Sequence, residues 1–336
     1  MTGANATMSR RMLVVAVLAL AVGLLTQVFA LDLAYPQTLS VTVWSSAEDP
    51  GVDPDWSGWE AVPSAPVPLT AQQIATPLGG GSTPSLAVQT VHTDGDLVVR
   101  ISWSDTTEDN STARTELFAD AVAVQFPADP RSSVPAICMG QADAAVNIWH
   151  WRADSQAGAP ALPELGDGYV DRYADTSETY YPATASGNPF ASDAAVQSLI
   201  AGSFGTLTPM DEQTVVGEGR HTGDEWAVVL RRAFAAPSTE HPQFEVGQDI
   251  DVAFAVWDGS SDERNGVKSV SQFVRFSISE ATIDGQSDSV AAARSLAPNT
   301  TVGYIVVGLI SGVVLALLLV ALIWFGFVIK AFVDND

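Results

Sequence analysis

Lysine is almost absent from this chain. Of its 15 lysine and arginine residues only two are lysines, Lys268 and Lys330. Acidic residues number 39, and the formal net charge is −24. This balance argues against a nucleic-acid partner, because phosphate neutralisation needs a basic surface. The composition is instead typical of a folded protein with an acidic surface that works at high salt, where ions screen the self-repulsion.

Cysteine and histidine are equally scarce. Cys138 is the single cysteine, which excludes an intrachain disulfide and a thiolate metal cluster, and the C-x-x-C-H motif of covalent haem attachment is absent. The four histidines show no metal-binding spacing, so a zinc or non-haem iron site has little support. His150 is the best-placed ligand among them, although a strand histidine is more often structural. Without a G-x-S-x-G elbow or a glycine-rich phosphate loop, the sequence indicates no catalytic centre of its own.

Two apolar segments frame the chain. Residues 1–30 contain paired arginines followed by an uncharged run, which is typical of a signal peptide or an N-terminal membrane anchor. Residues 302–329 are almost continuously apolar and long enough to cross a hydrocarbon core about 30 Å thick. Positive charges at both outer ends predict that residues 31–280 lie outside the cytoplasm, with 281–301 as a linker and 330–336 as a short cytoplasmic tail. We therefore expect a domain held at the cell membrane, on its extracytoplasmic side.

The region between these segments is rich in strand patterns. Alternating apolar residues around an Asp-Gly turn predict a hairpin over Val91–Trp103. A weak helical periodicity occurs only near Ala191–Ile200. Further strands are expected at Leu39–Trp44, Ala121–Phe126, Ala145–Trp151, Trp226–Phe234, Ile250–Trp257 and Val270–Ile278. Many short strands separated by Gly, Pro and Asp predict an all-β fold, an antiparallel β-sandwich large enough to hold a core and a ligand pocket.

Met139 and Lys268 are candidate metal ligands. Methionine is rare beyond the first dozen residues, and Met139 lies in a run of small residues shortly before Trp149 and Trp151. Lys268 closes a polar loop that begins at Trp257. A neutral amine and a thioether both offer a lone pair to a metal, whereas a guanidinium does not. Taken singly, core packing for the methionine and a surface charge for the lysine are the alternative interpretations.

Four strings of the domain resemble those of a known family. They are F-A-D-A-V-A-V-Q-F-P, M-G-x(5)-V-N-I-W-H-W-R-A-D, W-A-V-V-L-R-R-A-F and V-A-F-A-V-W-D-G-S-S-D-E-R-N-G-V-K-S-V-S, in this order within residues 41–279. Together they are similar to the haem-b-binding gamma subunits of type II dimethyl sulfoxide reductase family molybdoenzymes. Ethylbenzene dehydrogenase, dimethylsulfide dehydrogenase, chlorate reductase and selenate reductase carry such subunits.

The resemblance implies one haem b and the residues that hold it. The methionine of the M-G string, Met139, and the lysine at the end of the W-D-G loop, Lys268, match the axial ligands of the haem iron in that family. We expect the walls of the haem site to be Trp149, Trp151 and Trp257. A haem with both axial positions filled passes electrons rather than activating oxygen. The expected function is therefore electron transfer, without catalysis by this chain.

The resemblance also implies partners. We expect a molybdopterin catalytic subunit, an iron–sulfur subunit and, as electron partner, a membrane cytochrome b or Rieske protein or a small redox protein. Arg152 and Arg264 are candidates to meet a haem propionate. The relatives are soluble periplasmic subunits, so the apolar C-terminal segment suggests a membrane-anchored form, for example of an outward-facing nitrate reductase in a halophilic archaeon. The alternatives are a cell-surface ligand- or carbohydrate-binding sandwich without a cofactor, and a free-standing haem sensor.

Overall fold

The computed structural model describes residues 38–93, 95–112, 116–129, 139–141, 143–157, 190, 194–238 and 240–283. In these residues the chain forms thirteen strands, two 3₁₀ turns and one short helix, so the fold is all-β as predicted. The chain divides into two compact units, Met1–Ala281 and Thr282–Asp336. The described part of the second unit is confined to residues 282 and 283.

The thirteen strands are numbered in chain order. Their bounds are β1 (Leu39–Ser45), β2 (Ala65–Ala71), β3 (Ser85–Thr93), β4 (Asp96–Ser104), β5 (Ala121–Pro127), β6 (Val146–Arg152), β7 (Val196–Ala201), β8 (Thr208–Pro209), β9 (Val216–His221), β10 (Glu225–Ala233), β11 (Asp249–Trp257), β12 (Ser269–Ser271) and β13 (Val274–Thr282). Helix α1 covers Ala153–Ala157, and the 3₁₀ turns cover Ser57–Glu60 and Gly259–Ser261.

Two strand layers form the sandwich. The first layer has the order β13-β1-β3-β4-β10-β9 and the second the order β12-β11-β5-β6-β7-β8. Strands β2 and β11 belong to both layers: Asp249–Val252 pairs with β13, whereas Ala253–Trp257 pairs with β5. The pair β1–β3 is parallel, whereas the pairs β3–β4, β4–β10, β5–β6, β6–β7 and β5–β11 are antiparallel. Strands that change layer in this way make the corners of the sandwich.

The core lies between the layers and is closed by aromatic side chains. Trp149 and Trp151 of β6 are fully buried, as is Phe126 of β5. The rings of Phe126 and Trp149 are 4.5 Å apart, and Trp151 meets Trp226 of the first layer at 5.0 Å. Large aromatic residues bury the most area per side chain, so these contacts stabilise the packing of one layer on the other.

Three parts of the sheet differ from the sequence prediction. The strand expected over Val270–Ile278 is two strands, β12 and β13, because its two halves pair with different layers. The weak helical periodicity near Ala191–Ile200 was misleading, since Val196–Ala201 forms strand β7 paired along its length with β6. Strand β2 was not predicted because Pro66 and Pro68 lower the strand signal. It tolerates both prolines because this half of the strand pairs only with β3.

The predicted membrane segments lie outside the described residues. Residues 1–30 and 302–329 belong to the parts of the chain that are not described, as does the tail 330–336. Within the described ranges no helix has the length and apolar character needed to span a membrane.

Candidate functional site

The outer face of the second layer carries a cavity of about 700 Å³, within the range of roughly 300–1,000 Å³ that is common for cofactor sites. Its floor consists of alternate residues of four strands, whose neighbours along each strand point into the core. Small side chains occupy the two central strands, namely Ala121 and Ala123 on β5 and Ala253 and Ala255 on β11. Because Ala123 and Ala255 are direct partners in the sheet, the alanines together leave a shallow apolar recess.

His150 stands in the middle of this floor. It is the sheet partner of Ala123, and its ring centre lies 5.1 Å from that of Trp257. Burial, and to a lesser extent the positive charges of Arg152 and Lys268, lowers the pKa of His150 to about 3. The imidazole is therefore neutral at physiological pH, and one ring nitrogen keeps a lone pair for a hydrogen bond or a metal.

Met139 reaches the cavity from the loop that precedes β6. Its backbone is left-handed, with φ 64°, and the following Gly140 has φ 75°. The Met139 N–H donates to Gln125 Oε1 at 3.2 Å, and its side chain packs against a small apolar cluster of β6 and β7. A Cβ on Gly140 would lie 2.9 Å from the carbonyl oxygens of both Ala144 and Ala201. The M-G pair therefore lets the loop turn tightly against the sheet and present the thioether to the cavity.

Lys268 reaches the cavity from the loop before β12. Its N–H donates to the Gly79 carbonyl at 3.2 Å, and its carbonyl accepts from the Gln72 N–H at 3.0 Å. Gly80 lies so close that a Cβ on it would sit 2.3 Å from the Lys268 nitrogen. The amine Nζ lies 4.8 Å from the ring centre of Trp257. Backbone contacts on both sides thus fix the position of this lysine.

The 257–268 loop is tied to its surroundings by hydrogen bonds. The Trp257 indole N–H donates to the Asn265 carbonyl at 3.1 Å, which closes the loop on itself. The buried Glu263 carboxylate accepts from the Ser82 N–H at 3.0 Å and from the Ser82 hydroxyl at 2.8 Å. These bonds join the loop to the chain segment that holds the Lys268 backbone, so both parts form one support.

Two arginines line the same cavity. The Arg264 guanidinium lies 4.4 Å from the ring centre of Phe118, and Arg152 forms an ion pair with Asp154. Each carries a planar guanidinium group, which can bind a carboxylate through two parallel hydrogen bonds. The cavity therefore combines an apolar floor with cationic groups.

The five residues predicted for the site divide into two groups. Met139, Lys268 and Trp257 all line the cavity. Trp149 and Trp151 point the other way, into the sandwich core, where their indole N–H groups donate to Asn147 Oδ1 at 3.0 Å and Gln156 Oε1 at 2.8 Å. Their neighbour His150, on the opposite face of the same strand, takes the place in the cavity that the prediction gave to the tryptophans.

The arrangement brings together donors that suit a transition metal. A thioether, an imidazole and an amine share one apolar cavity, and such intermediate and soft donors favour iron, copper or zinc over magnesium or calcium. The alanine floor was not predicted, although the sequence contains a signal for it. In A-V-A-V-Q on β5 and A-F-A-V-W on β11 both faces of the strand are apolar, with the small residues on one face.

Comparison with known proteins places the chain in a family. The family described as "Ethylbenzene dehydrogenase" matches residues 56–269, more than half of the chain. A protein of Haloferax mediterranei named as a respiratory nitrate reductase heme subunit is 30% identical over 68% of this chain and 69% of its own length. Chlorate reductase subunit gamma of Ideonella dechloratans is 29% identical over 70% and 84%. Dimethylsulfide dehydrogenase subunit gamma of Rhodovulum sulfidophilum is 31% identical over 65% and 72%.

The chain therefore belongs to the ethylbenzene dehydrogenase family, and the resemblance to its gamma subunits that the motifs predicted is confirmed. Among solved structures, a family 9 carbohydrate-binding module of Caldicellulosiruptor kristjanssonii in complex with glucose is 10% identical over 72% of this chain and 97% of that one, with a TM-score of 0.38. So distant a likeness says nothing about a ligand for this chain.

The tight turn at Gly140 predicts a measurable loss of stability on substitution. We expect Gly140→Ala to lower the free energy of unfolding by about 2–4 kcal/mol, because it adds a clash with two carbonyl oxygens to the cost of a left-handed alanine. Gly205→Ala is the matched control, since Gly205 has nearly the same φ, 77°, with open space around it. Denaturant unfolding measures both variants. If Gly140→Ala and Gly205→Ala lower the free energy of unfolding equally, the close approach at Gly140 does not contribute to stability.

Proposed function

We propose that this chain is the electron-transferring gamma subunit of a molybdoenzyme complex and that its cavity holds a haem b through Met139 and Lys268. One observation carries the proposal. These two residues, far apart in sequence and each rare in the chain, line the same apolar cavity. The names of the relatives, which include a heme subunit and two gamma subunits of oxidoreductases, support it.

The cavity fits a flat apolar ring. The alanines of β5 and β11 leave a recess beside His150 in the floor, and a larger residue at Ala123 or Ala255 would fill that space. Gln125 lines the cavity, and its amide Nε2 is buried with no hydrogen-bond partner in the described part of the chain. A buried amide without a partner costs about 1–3 kcal/mol, so a bound group that accepts from it would stabilise the site.

The two proposed ligands contribute different donor atoms, a soft thioether sulfur from Met139 and a basic amine nitrogen from Lys268. When bound, a haem with both axial positions filled supplies one-electron transfer. A thioether such as that of Met139 favours the reduced iron and raises the potential, as it does in cytochromes c. Lys268 must bind as a neutral amine, because an ammonium has no lone pair to give to a metal. His150 is the competing donor, because it is neutral and lines the same cavity.

The rim of the cavity offers partners for acidic groups of the cofactor. We assign Arg152 and Arg264 to the haem propionates, because both are permanently charged and line the cavity. This assignment leaves the alanine floor for the apolar part of the ring.

The proposal also covers the partner subunits and the location of the domain at the membrane. The catalytic chemistry belongs to a molybdopterin subunit, and an iron–sulfur subunit links it to this chain, which takes no catalytic role itself. Electrons pass onward to a membrane cytochrome b or Rieske protein or to a small redox protein. Residues 302–329, with or without residues 1–30, would anchor the domain on the extracytoplasmic side of the membrane, which suits an outward-facing nitrate reductase or a related enzyme.

An absorption spectrum tests the proposal and its ligands. Full-length protein produced with ample haem should show a low-spin b-type spectrum that responds to dithionite. We expect Met139→Leu and Lys268→Arg to lose haem or to become high-spin, because leucine has no donor atom and a guanidinium keeps its proton. Met210→Leu is the matched control, since Met210 is buried elsewhere in the domain, and it should keep the wild-type spectrum.

Two outcomes would count against the proposal. A colourless wild-type protein would remove the haem and favour a cofactor-free binding sandwich. If both ligand variants keep the wild-type spectrum and His150→Gln changes it, the iron ligand is the His150 imidazole and neither Met139 nor Lys268.

A second test addresses how Lys268 is held. Gly80→Ala should displace the Lys268 backbone, because the new Cβ would lie 2.3–2.5 Å from its backbone atoms. We expect a mixture of low-spin and high-spin haem. Gly79→Ala also has a positive φ, yet its Cβ meets only a Val267 methyl group at an ordinary 3.6 Å, so this variant should keep the low-spin form. If both variants keep the wild-type spectrum, Gly80 does not position the ligand.

A further inference from the structure

Three aspartates meet where the loops that flank the cavity begin and end. Asp105 follows β4, Asp120 precedes β5 and Asp258 follows β11. One carboxylate oxygen from each lies within 4.8 Å of the other two. Asp105 and Asp120 are only 7% and 0% exposed. This aspartate cluster is separate from the cavity ligands Met139 and Lys268.

Asp120 and Asp258 are held in place by hydrogen-bond donors. The Asp120 carboxylate accepts from the Gly259 N–H at 2.9 Å, from the Asp109 N–H at 2.8 Å and from the Trp226 indole N–H at 2.9 Å. The Asp258 carboxylate accepts from two serine hydroxyls and one backbone N–H of the 3₁₀ turn that follows it. Both carboxylates are therefore oriented before any ligand binds.

Asp105 supplies a second and independent observation. Its Oδ1 accepts from the N–H and the hydroxyl of Thr107, each at 3.0 Å. Its Oδ2 is buried and has no hydrogen-bond partner among the described residues. The Trp103 indole lies close enough to lower the pKa of Asp105 slightly, yet its Nε1 forms no hydrogen bond of acceptable geometry. Asp105 thus adds to the cluster a buried carboxylate with one oxygen that no well-formed hydrogen bond satisfies in the part of the chain that the structure describes.

Within the described residues, no ion pair compensates the charge of the cluster. None of the ion pairs found among the described residues includes Asp105, Asp120 or Asp258. Burial, reinforced by the charge of Asp105, raises the pKa of Asp120 to about 7, although three N–H donors oppose the shift. Burial also raises the pKa of Asp105. Carboxylates packed this closely need either protons or a cation between them.

We propose that the aspartate cluster binds one Ca²⁺ ion. Carboxylate oxygens are hard ligands of the kind that calcium prefers, and water or backbone carbonyls complete its 6–8 ligands. Two oxygens on one Ca²⁺ are at most about 5 Å apart, whereas on one Mg²⁺ the limit is about 4 Å. The three oxygens lie within 4.8 Å of one another, inside the calcium limit, and the flexible coordination of calcium tolerates unequal spacings better than the octahedral coordination of magnesium.

The ion would fasten the start of the 257–268 loop. Gly259, the residue after Asp258, packs so tightly that a Cβ on it would lie 2.1 Å from the Phe118 carbonyl oxygen. Trp257, the residue before, lines the cavity, as does Ala119 next to Asp120. A cation shared by the three aspartates joins the ends of β4, β5 and β11 and thereby stabilises the loop independently of any group in the cavity.

Calcium binding by the full-length protein in detergent tests the proposal. The protein is stripped with a chelator and titrated with Ca²⁺ in about 1 M KCl, where a Debye length of about 3 Å suppresses loose binding to the acidic surface. We expect one ion per chain and a rise in Tm. Asp105→Asn and Asp258→Asn should bind roughly tenfold or more weakly, since each removes a charged ligand. Asp262→Asn, an exposed carboxylate of the same loop, is the matched control and should bind normally.

Terbium luminescence gives a readout that does not depend on mutating the cluster. Tb³⁺ in the cluster should be sensitised by Trp226, whose indole contacts Asp120, and Ca²⁺ should quench the signal by competition. Trp226→Phe should lose part of the sensitised emission, since the Trp103 indole also lies beside the cluster, yet keep calcium binding. No calcium stoichiometry in high salt, wild-type affinity in both aspartate variants, or a Tm that responds to pH near 7 but not to calcium would each overturn the proposal. The absorption spectrum of the haem site is recorded separately, so the two proposals fail independently.

Discussion

The site depends on a single constraint, the two-residue alternation of strands that are apolar on both faces. Strands β5 and β11 send valine and phenylalanine into the sandwich and alanine outward. The large residues hold the two layers together, while the small ones leave a recess that the sheet itself cannot fill. A shift of register by one residue would exchange these faces and remove both the core and the cavity at once. Core packing therefore specifies the position of the cavity floor.

Neither proposed ligand belongs to a strand, and both are positioned by glycine. Gly140 and Gly80 bring a loop so close to neighbouring backbone that any side chain would clash. Backbone contacts of this kind fix a ligand more firmly than side-chain packing, because they leave few torsions free. Methionine and lysine are long and flexible, and a fixed Cα restricts where their tips can go. This gives a physical reason why Met139 is followed by a glycine in the sequence. It also explains why the Lys268 backbone packs against a glycine-rich turn, Gly79–Gly81, that is distant from it in the sequence.

Most strands could be inferred from the sequence, and three of the five predicted residues, Met139, Trp257 and Lys268, do line the cavity, since alternation and residue rarity are local signals. Which face of a strand points outward is not local. Trp149, Trp151 and His150 alternate in the sequence, and only the partners of β6 in the sheet decide that the tryptophans pack inward and the histidine faces the cavity. The change of layer within β11 was equally hidden, because both halves of the strand have the same pattern. The contact of Gly80 with Lys268 joins segments that no periodicity connects.

The 257–268 loop has groups of like charge close together at both ends, positive near Lys268 and negative near Asp258. The fold stabilises these two ends in different ways. At the Lys268 end, His150 lies near two permanent or potential cations, and burial keeps its imidazole neutral, so the repulsion never develops. At the Asp258 end three carboxylates converge, and hydrogen-bond donors orient them but supply only partial charge. An imidazole becomes neutral at ordinary pH by losing a proton, whereas a carboxylate must gain one. The pKa of Asp120 rises to about 7, so a proton on this group relieves part of the repulsion among the three carboxylates. The proposed Ca²⁺ would neutralise the acidic end, whereas the basic end needs no counter-ion, and a loop fastened at both ends can hold a flexible lysine at a fixed place.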